Sequence, residues 1–291
     1  MKVAFGTVIY EAAYPYHECF INAINRQNTK GFDVLLLNDN LDEDKCETLT
    51  HQIERKVNLC RCKPCMTIPE LKIELIKSAK ERDYDLLILG DFDDSFSENR
   101  VSQYITNYDS QYSFYYNDLY YMDKTNRFFC MLPPEVDQIE PILECNFLGF
   151  SNTGLNINTV DYALLNCLCA KQTTAFDWMV FSLFVLQGHK GKLINDCITY
   201  YRVHEHNIAG EIQCGMEGII KEIEIKAAHY AKLVDTDTRY LSLYTFYADL
   251  LIKPGKASLL LKKWAINNRY WWGRINRSNI LNDEVNDDHQ Q

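Results

Sequence analysis

No stretch of the chain approaches the roughly 20 consecutive apolar residues that a membrane-spanning helix requires. The opening MKVAFGTVIYEAAYPYHECF meets a glutamate and a proline before any long apolar run, so it reads neither as a leader nor as an anchor. A cytoplasmic protein is expected. Positive charge is short as well: 30 Lys and Arg face 40 Asp and Glu, for a net charge of −10. Binding a phosphate backbone needs a basic face, which argues against nucleic acid as the main partner. There is no internal repeat. Cysteine is not scarce, but the 11 thiols are odd in number, scattered and without a secretory leader, which points to reduced core residues. Cys167 and Cys169, in NCLCA, suit packing. Only Cys60, Cys62 and Cys65, in CRCKPC, have the spacing of a metal cluster, and no fourth ligand lies close by.

What is present fits a globular protein. At 291 residues, 47% hydrophobic and 24% charged, the chain can bury a sizeable core, as one large α/β domain or a domain with an appendage. The first hundred residues alternate short β-rich runs with segments of helical period, the pattern of a parallel sheet covered by helices. KVAFGTVIY is the first predicted strand, and Phe20, Ile21 and Ile24 form an apolar stripe on a helix over His17 to Gln27. FDVLLLND, continuous and apolar, suits a strand buried on both faces. LDEDKCETLTHQIER reads as helix and KVNLC as strand. Pro69 opens the helix PELKIELIKSAKER, and YDLLILGD is the fourth strand.

The middle is rich in tyrosine, as in YSFYYNDLYYMD, which reads as strands with aromatic packing. NFLGFSNTGLNI then suits a strand and turn, AFDWMVFSLFVLQG a helix, and KLINDCITYYRVHEHN a strand running into a polar loop. From about Gly215 the period is helical to Lys253, broken at Pro254-Gly255. The predicted organisation is residues 1–212 as the α/β domain, 213–280 as a helical C-terminal extension and 281–291 as a polar acidic tail.

The fourth strand runs into LLILGDFDDSFSENR, which sets Asp91, Asp93 and Asp94 at its carboxyl end, where open α/β sheets bind ligands. Three like charges within four residues cost stability or shift their pKa values unless something neutralises them. An EF-hand would need glycine at the sixth loop position, which Phe96 occupies. A haloacid-dehalogenase-like phosphatase also has a strand followed by D-x-D-x-[TS], although at its first strand and with a later carboxylate pair not seen here. A nucleotide-sugar site would use the carboxylates to hold Mg²⁺ or Mn²⁺ against a diphosphate, since hard cations prefer carboxylate and phosphate oxygens. The plain alternative is that Asp91 and Asp94 cap a helix starting near Ser97.

Over about the first 210 residues the chain resembles the family 2 glycosyltransferases of the GT-A fold. GTVIYEAAYPYHECFINAINRQNTKGFDVLLLNDN is similar to that family's opening strand, helix and second strand, and DFDDSFSENR to its D-x-D-D element. SNTG, FDW and YYRVHEHN are similar to segments that follow in the same order. The resemblance implies a mostly parallel, GT-A-like sheet flanked by helices and an inverting transfer of a sugar from a nucleoside diphosphate, UDP by preference. The implied acceptor is a glycan, free or lipid-linked, of the O-antigen or capsule kind.

Site roles follow from the same resemblance. Asp39 accepts from the base, Asp91 supports the strand end, Asp93 meets the ribose, and Asp93 and Asp94 serve the cation. Lys72 faces the nucleotide, or is a solvated surface lysine. Asp177 is the general base, standing alone because Phe176 replaces the acid that often precedes it; the alternative is a cap or surface aspartate. Trp178 stacks on a sugar or fills the core. His204 and His206 meet metal or phosphate, with Arg202 and Asn207 adjacent, and Asn152 and Thr153 are donors to sugar or acceptor. A catalytically silent binding subunit of a glycan assembly complex is the reading from another class. Residues 252–277 carry Lys and Arg without acid, interleaved with Trp264, Tyr270, Trp271 and Trp272. They suit either an interfacial helix on anionic lipid or tryptophans packed onto the domain.

Overall fold

The computed structural model describes residues 1–122, 126–129, 131–204, 216–252 and 270–277. Four parallel strands come first: β1 (Val3–Tyr10), β2 (Asp33–Asp39), β3 (Val57–Arg61) and β4 (Leu86–Leu89). They alternate with α1 (His17–Asn25), α2 (Glu43–Gln52) and α3 (Ile68–Glu81). Then follow β5 (Ser95–Phe96), α4 (Arg100–Thr106), β6 (Phe114–Tyr121), β7 (Glu135–Val136) and β8 (Thr153–Asn156). After them come α5 (Tyr162–Ala170), α6 (Phe176–Leu186), β9 (Gly191–Tyr201), α7 (Met216–Ala231) and α8 (Thr238–Ile252). The strands form one mixed sheet in the order β3-β2-β1-β4-β8-β6-β9-β5, with β7 on β9.

Strand residues alternate between two cores, as the pleat requires. Ala4, Leu35, Leu37, Leu87 and Leu89 face the core covered by α3, α5 and α6, whereas Phe5, Val34, Leu36, Leu86 and Ile88 face the one covered by α1, α2 and α4. The apolar run of β2 is thus buried on both sides, as predicted. The helix expected at Pro69 begins one residue earlier, where Thr67 and Glu70 form a reciprocal cap that satisfies two otherwise unpaired N–H groups.

The C-terminal helices share the first core: Ile223, Tyr230, Tyr247, Trp271 and Ile275 pack into it with Trp178 and Phe181 of α6. Trp271 and Trp272 are buried, so of the two readings of the basic aromatic segment these residues follow packing on the domain; Trp264 and Lys253 lie outside the described residues. No described helix is long and apolar enough to cross a membrane.

His229 of α7 stacks on Trp178 with ring centroids 4.0 Å apart, and neither of its buried ring nitrogens has a partner among the described residues. Burial, then the neighbouring Lys226 charge, pushes its pKa from 6.5 down to about 3. Above 6.5 both folded and unfolded states hold it neutral. As pH falls below that value the unfolded chain takes up a proton that the folded one refuses, and stability is lost until the folded group titrates. The expected slope is up to about 1.4 kcal/mol per pH unit from this group. Urea unfolding at pH 7 and pH 5 checks it: His229→Phe, which keeps the stack, should flatten the slope, and an unchanged slope refutes the assignment.

Candidate functional site

The site forms where β4 leaves the sheet. Gly90 sits over the Phe5–Phe96 ring pair, and a Cβ there would lie 2.5 Å from Phe5 Cζ and 2.6 Å from Phe96 Cζ. The chain therefore clears the core only as glycine, then turns at once through Asp91 to Asp94, where the Asp94 N–H donates to the Asp91 carbonyl at 3.2 Å. Antiparallel pairing of β5 with the end of β9 brings residues 202–204 alongside this turn.

Asp93 and Asp94 are buried. Asp94 accepts from the Ser151 hydroxyl with one oxygen and from the Arg202 backbone N–H at 2.7 Å with the other. Asp93 Oδ2 lies 2.8 Å from His204 Nε2, and its carbonyl accepts from Arg202 Nε at 2.8 Å. The Arg202 guanidinium lies 4.3 Å from the Tyr16 ring centre. The helix after the turn begins at Arg100 with Asn99 at its cap, so neither Asp91 nor Asp94 caps it. Asp91 has no hydrogen-bond partner for its carboxylate among the described residues. Burial, and then the Asp93 and Asp177 charges against the pull of Lys72 and Arg100, pushes Asp91 up to about 7. Burial, then Asp93 and Asp91, pushes Asp94 well above the carboxylate range despite Ser151 and Arg202. Burial and the same acids raise the Tyr10 phenol. Burial and mutual repulsion thus disfavour the charged forms of these acids.

Two supporting residues lie within the DFDDSFSENR and SNTG segments but are not among the expected site residues. Arg100 is fully buried beneath the turn, where Nη2 donates to the carbonyls of Leu89 at 2.8 Å and Ser151 at 2.9 Å, and Nε to Asn117 Oδ1 at 3.0 Å. It ties the strand end to the loop that reaches Asp94. It closes the DFDDSFSENR segment and shares the buried face of α4 with Val101 and Tyr104. Ser151, the other, stands beside the expected donors Asn152 and Thr153. Those two are fully buried and turned inward: Asn152 bonds the Gly149 N–H and the Asn117 and Phe147 carbonyls, and Thr153 the Gly149 carbonyl. The expectation that Asn152 and Thr153 present donors to a substrate is corrected, because their polar atoms are used in folding the loop.

Across the loop, Lys72 is not a solvated lysine. Its ammonium pairs with Asp177 Oδ1, in the first turn of α6, and lies 4.6 Å from the Phe150 ring centre. Burial opposes its charge, but Asp177 and Asp91 outweigh that and hold its pKa above the ordinary value. Asp177 Oδ2 accepts the Phe150 N–H at 3.1 Å. Adjacent residues 150 and 151 thus touch Asp177 and Asp94 respectively.

Asp39 ends β2 in register with Tyr10 and accepts from Asn40 at 3.0 Å. Trp178 fills the core: it is fully buried, and its indole N–H donates to the Ile142 carbonyl. Sugar stacking by Trp178 is therefore corrected. His206 and Asn207 lie outside the described residues.

Among the described residues no three His, Cys, Asp or Glu side chains converge as a metal cage, at Cys60–Cys65 or at the acidic turn. A cage is not what Mg²⁺ or Mn²⁺ requires: such ions commonly take one or two carboxylates and fill the rest with water and substrate phosphate. Each Asp94 oxygen keeps a lone pair beyond its hydrogen bond, and Asp93 stands beside an imidazole. The donor set, and the mutual repulsion of its buried acids, fit a dication bound together with a diphosphate.

No family model and no curated protein matches the chain. Solved structures do. Residues 1–349 of S. aureus TarS in complex with UDP-GlcNAc superpose with TM-score 0.60 at 13% identity, covering 85% of this chain and 72% of that one. The same protein with UDP gives 0.57 at 13%, over 86% and 71%. The mannosyltransferase PcManGT from Pyrobaculum calidifontis, in complex with GDP-Man and Mn²⁺, gives 0.55 at 11%, over 86% and 69%. At such identities the likeness carries the fold: a mixed α/β sheet flanked by helices, shared with a mannosyltransferase and a protein that binds UDP-GlcNAc.

Proposed function

We propose that the protein is an inverting glycosyltransferase that moves a sugar from a nucleoside diphosphate, UDP by preference, to a glycan hydroxyl. The observation that carries this is the pairing of two carboxylate groups through adjacent residues, Asp94 through Ser151 and Asp177 through Phe150. A diphosphate at the acidic turn would place its sugar beside Asp177. The fold shared with a mannosyltransferase and with a UDP-GlcNAc-binding protein supports the donor class.

Asp177 takes the proton of the acceptor hydroxyl as that oxygen attacks the anomeric carbon. The carbon–oxygen bond to the diphosphate breaks on the opposite face, its electron pair leaving with the phosphate, and the configuration inverts. Lys72 and the Phe150 N–H fix Asp177 in place. Arg202 and Ser151 hold Asp94 toward the turn, Asp39 takes the base, and His204 stands with Asp93. A divalent cation taken by Asp94, with Asp93 and His204 beside it and water and the diphosphate filling its remaining positions, would offset charge on the departing diphosphate. The acceptor we propose is a surface glycan of the O-antigen or capsule kind, free or lipid-linked, with peripheral membrane contact through the basic residues of 252–277; family resemblance supports that choice.

A silent binding subunit is the second reading, favoured by Phe176 in place of an acid before Asp177. Calorimetry with UDP, with and without Mn²⁺, followed by an assay of slow sugar-nucleotide hydrolysis, separates the two. Mn²⁺-dependent binding with hydrolysis is expected. Binding without hydrolysis supports the silent subunit, and no binding refutes the donor site.

A further inference from the structure

We infer that Trp271, in the C-terminal extension, is a positioning residue for the site: it sets the 146–153 loop and the end of β9 that together present donors to Asp94 and Asp177. Its ring lies where a side chain on Gly149 would go, with a Cβ there 2.7 Å from Trp271 Cη2 and 2.8 Å from Cζ3. The Asn146 N–H donates to the Trp271 carbonyl at 2.8 Å, closing an isolated bridge at the start of the same loop. The indole also packs 6.0 Å from the Tyr201 ring, and Tyr201 precedes Arg202. Both donors to Asp94, Ser151 and Arg202, therefore hang from segments that rest on one indole.

That indole is itself held from outside the sheet. Glu222 of α7 accepts from the backbone N–H groups of Arg274 at 2.9 Å and Ile275 at 3.1 Å, and from Arg274 Nε at 3.0 Å. Lys226 bonds the Ile275 carbonyl and Asn276 Oδ1, and Glu144 accepts the Arg277 N–H at 2.6 Å. The buried indole N–H has no partner among the described residues, so shape and not a hydrogen bond fixes the ring. A smaller ring should then serve, and a side chain on Gly149 should not.

Hydrogen exchange on the full chain tests this without any ligand. In Trp271→Ala, amides of residues 146–153 and of Arg202 should exchange more than about tenfold faster, while those of β1 to β3 stay near wild type. Gly149→Ala should do the same, and adding Trp271→Phe to it should restore protection; this pair carries the test if Trp271→Ala does not fold. Faster exchange confined to α7, α8 and residues 270–277, with the loop unchanged, overturns the inference. The functional half rests on the donor-site reading: Mn²⁺-dependent UDP binding should weaken in Trp271→Ala and recover in Trp271→Phe. Wild-type protein that binds no UDP would refute that reading, while the exchange data still decide the positioning role.

Discussion

Asp177→Asn is expected to lower sugar-nucleotide turnover about 10²- to 10⁴-fold, the share a positioned general base supplies. The amide has the same shape, and its oxygen can still accept the Phe150 N–H, so the loop keeps its contact. It cannot take a proton. Lys72 loses its partner, yet its side chain is 18% exposed and Asp91 remains a neighbouring charge, so water can replace part of what the carboxylate gave. Affinity for UDP with Mn²⁺ should therefore stay within a few-fold of wild type, while the melting temperature falls because a half-buried ammonium loses its carboxylate. The informative pattern is a fall in kcat with donor affinity retained, read from steady-state kinetics beside calorimetry. Turnover within a few-fold of wild type would mean that the acceptor proton goes elsewhere, and Asp177 would then be a structural partner of Lys72 only.

The parts of this arrangement legible in the sequence are those with a local signature. Continuous apolar runs gave β2 and β4, and the break from LLIL into GDFDD located the acidic turn at a strand end, where the structure has it. Lys72 and Asp177 were each singled out, but not as a pair: 105 residues separate them, and no periodicity encodes which of several charged groups will meet across a folded loop. Nothing local separates Ser151 from Asn152 and Thr153, since all three are polar neighbours in one loop. Which of them faces the acids depends on how the loop bends, and Asn152 bends it by spending its own amide on Gly149 and Phe147. Arg100 has no local signature of its role; only the folded sheet shows that its guanidinium ties the Leu89 and Ser151 carbonyls together beneath the turn. Trp178 and Trp271 read as surface aromatics or core with equal ease, since a tryptophan's composition signal is the same against sugar, lipid or protein.

Asp94→Asn separates a carboxylate kept for function from one kept for the fold. The amide can reproduce both existing bonds, with its oxygen accepting the Arg202 N–H and its nitrogen donating to the Ser151 hydroxyl. Only charge is removed, from a cluster whose pKa values are already driven upward by burial and by one another. Metal-free protein should therefore be as stable as wild type or more so, since carboxylate repulsion is relieved. The cation, by contrast, loses an anionic oxygen that neither water nor imidazole replaces. UDP affinity in the presence of Mn²⁺ should fall by at least about 100-fold, beyond what loss of an outer-shell partner typically costs, and should approach the metal-free value. Thermal melting with and without Mn²⁺ and UDP reads both halves. A variant that melts lower and still gains stability from the metal would place Asp94 in the framework of the loop, leaving Asp93 and His204 to hold the cation without it. If melting is unchanged or raised and the gain from metal is gone, three carboxylates are crowded at this strand end because a dication and a diphosphate fill the space between them.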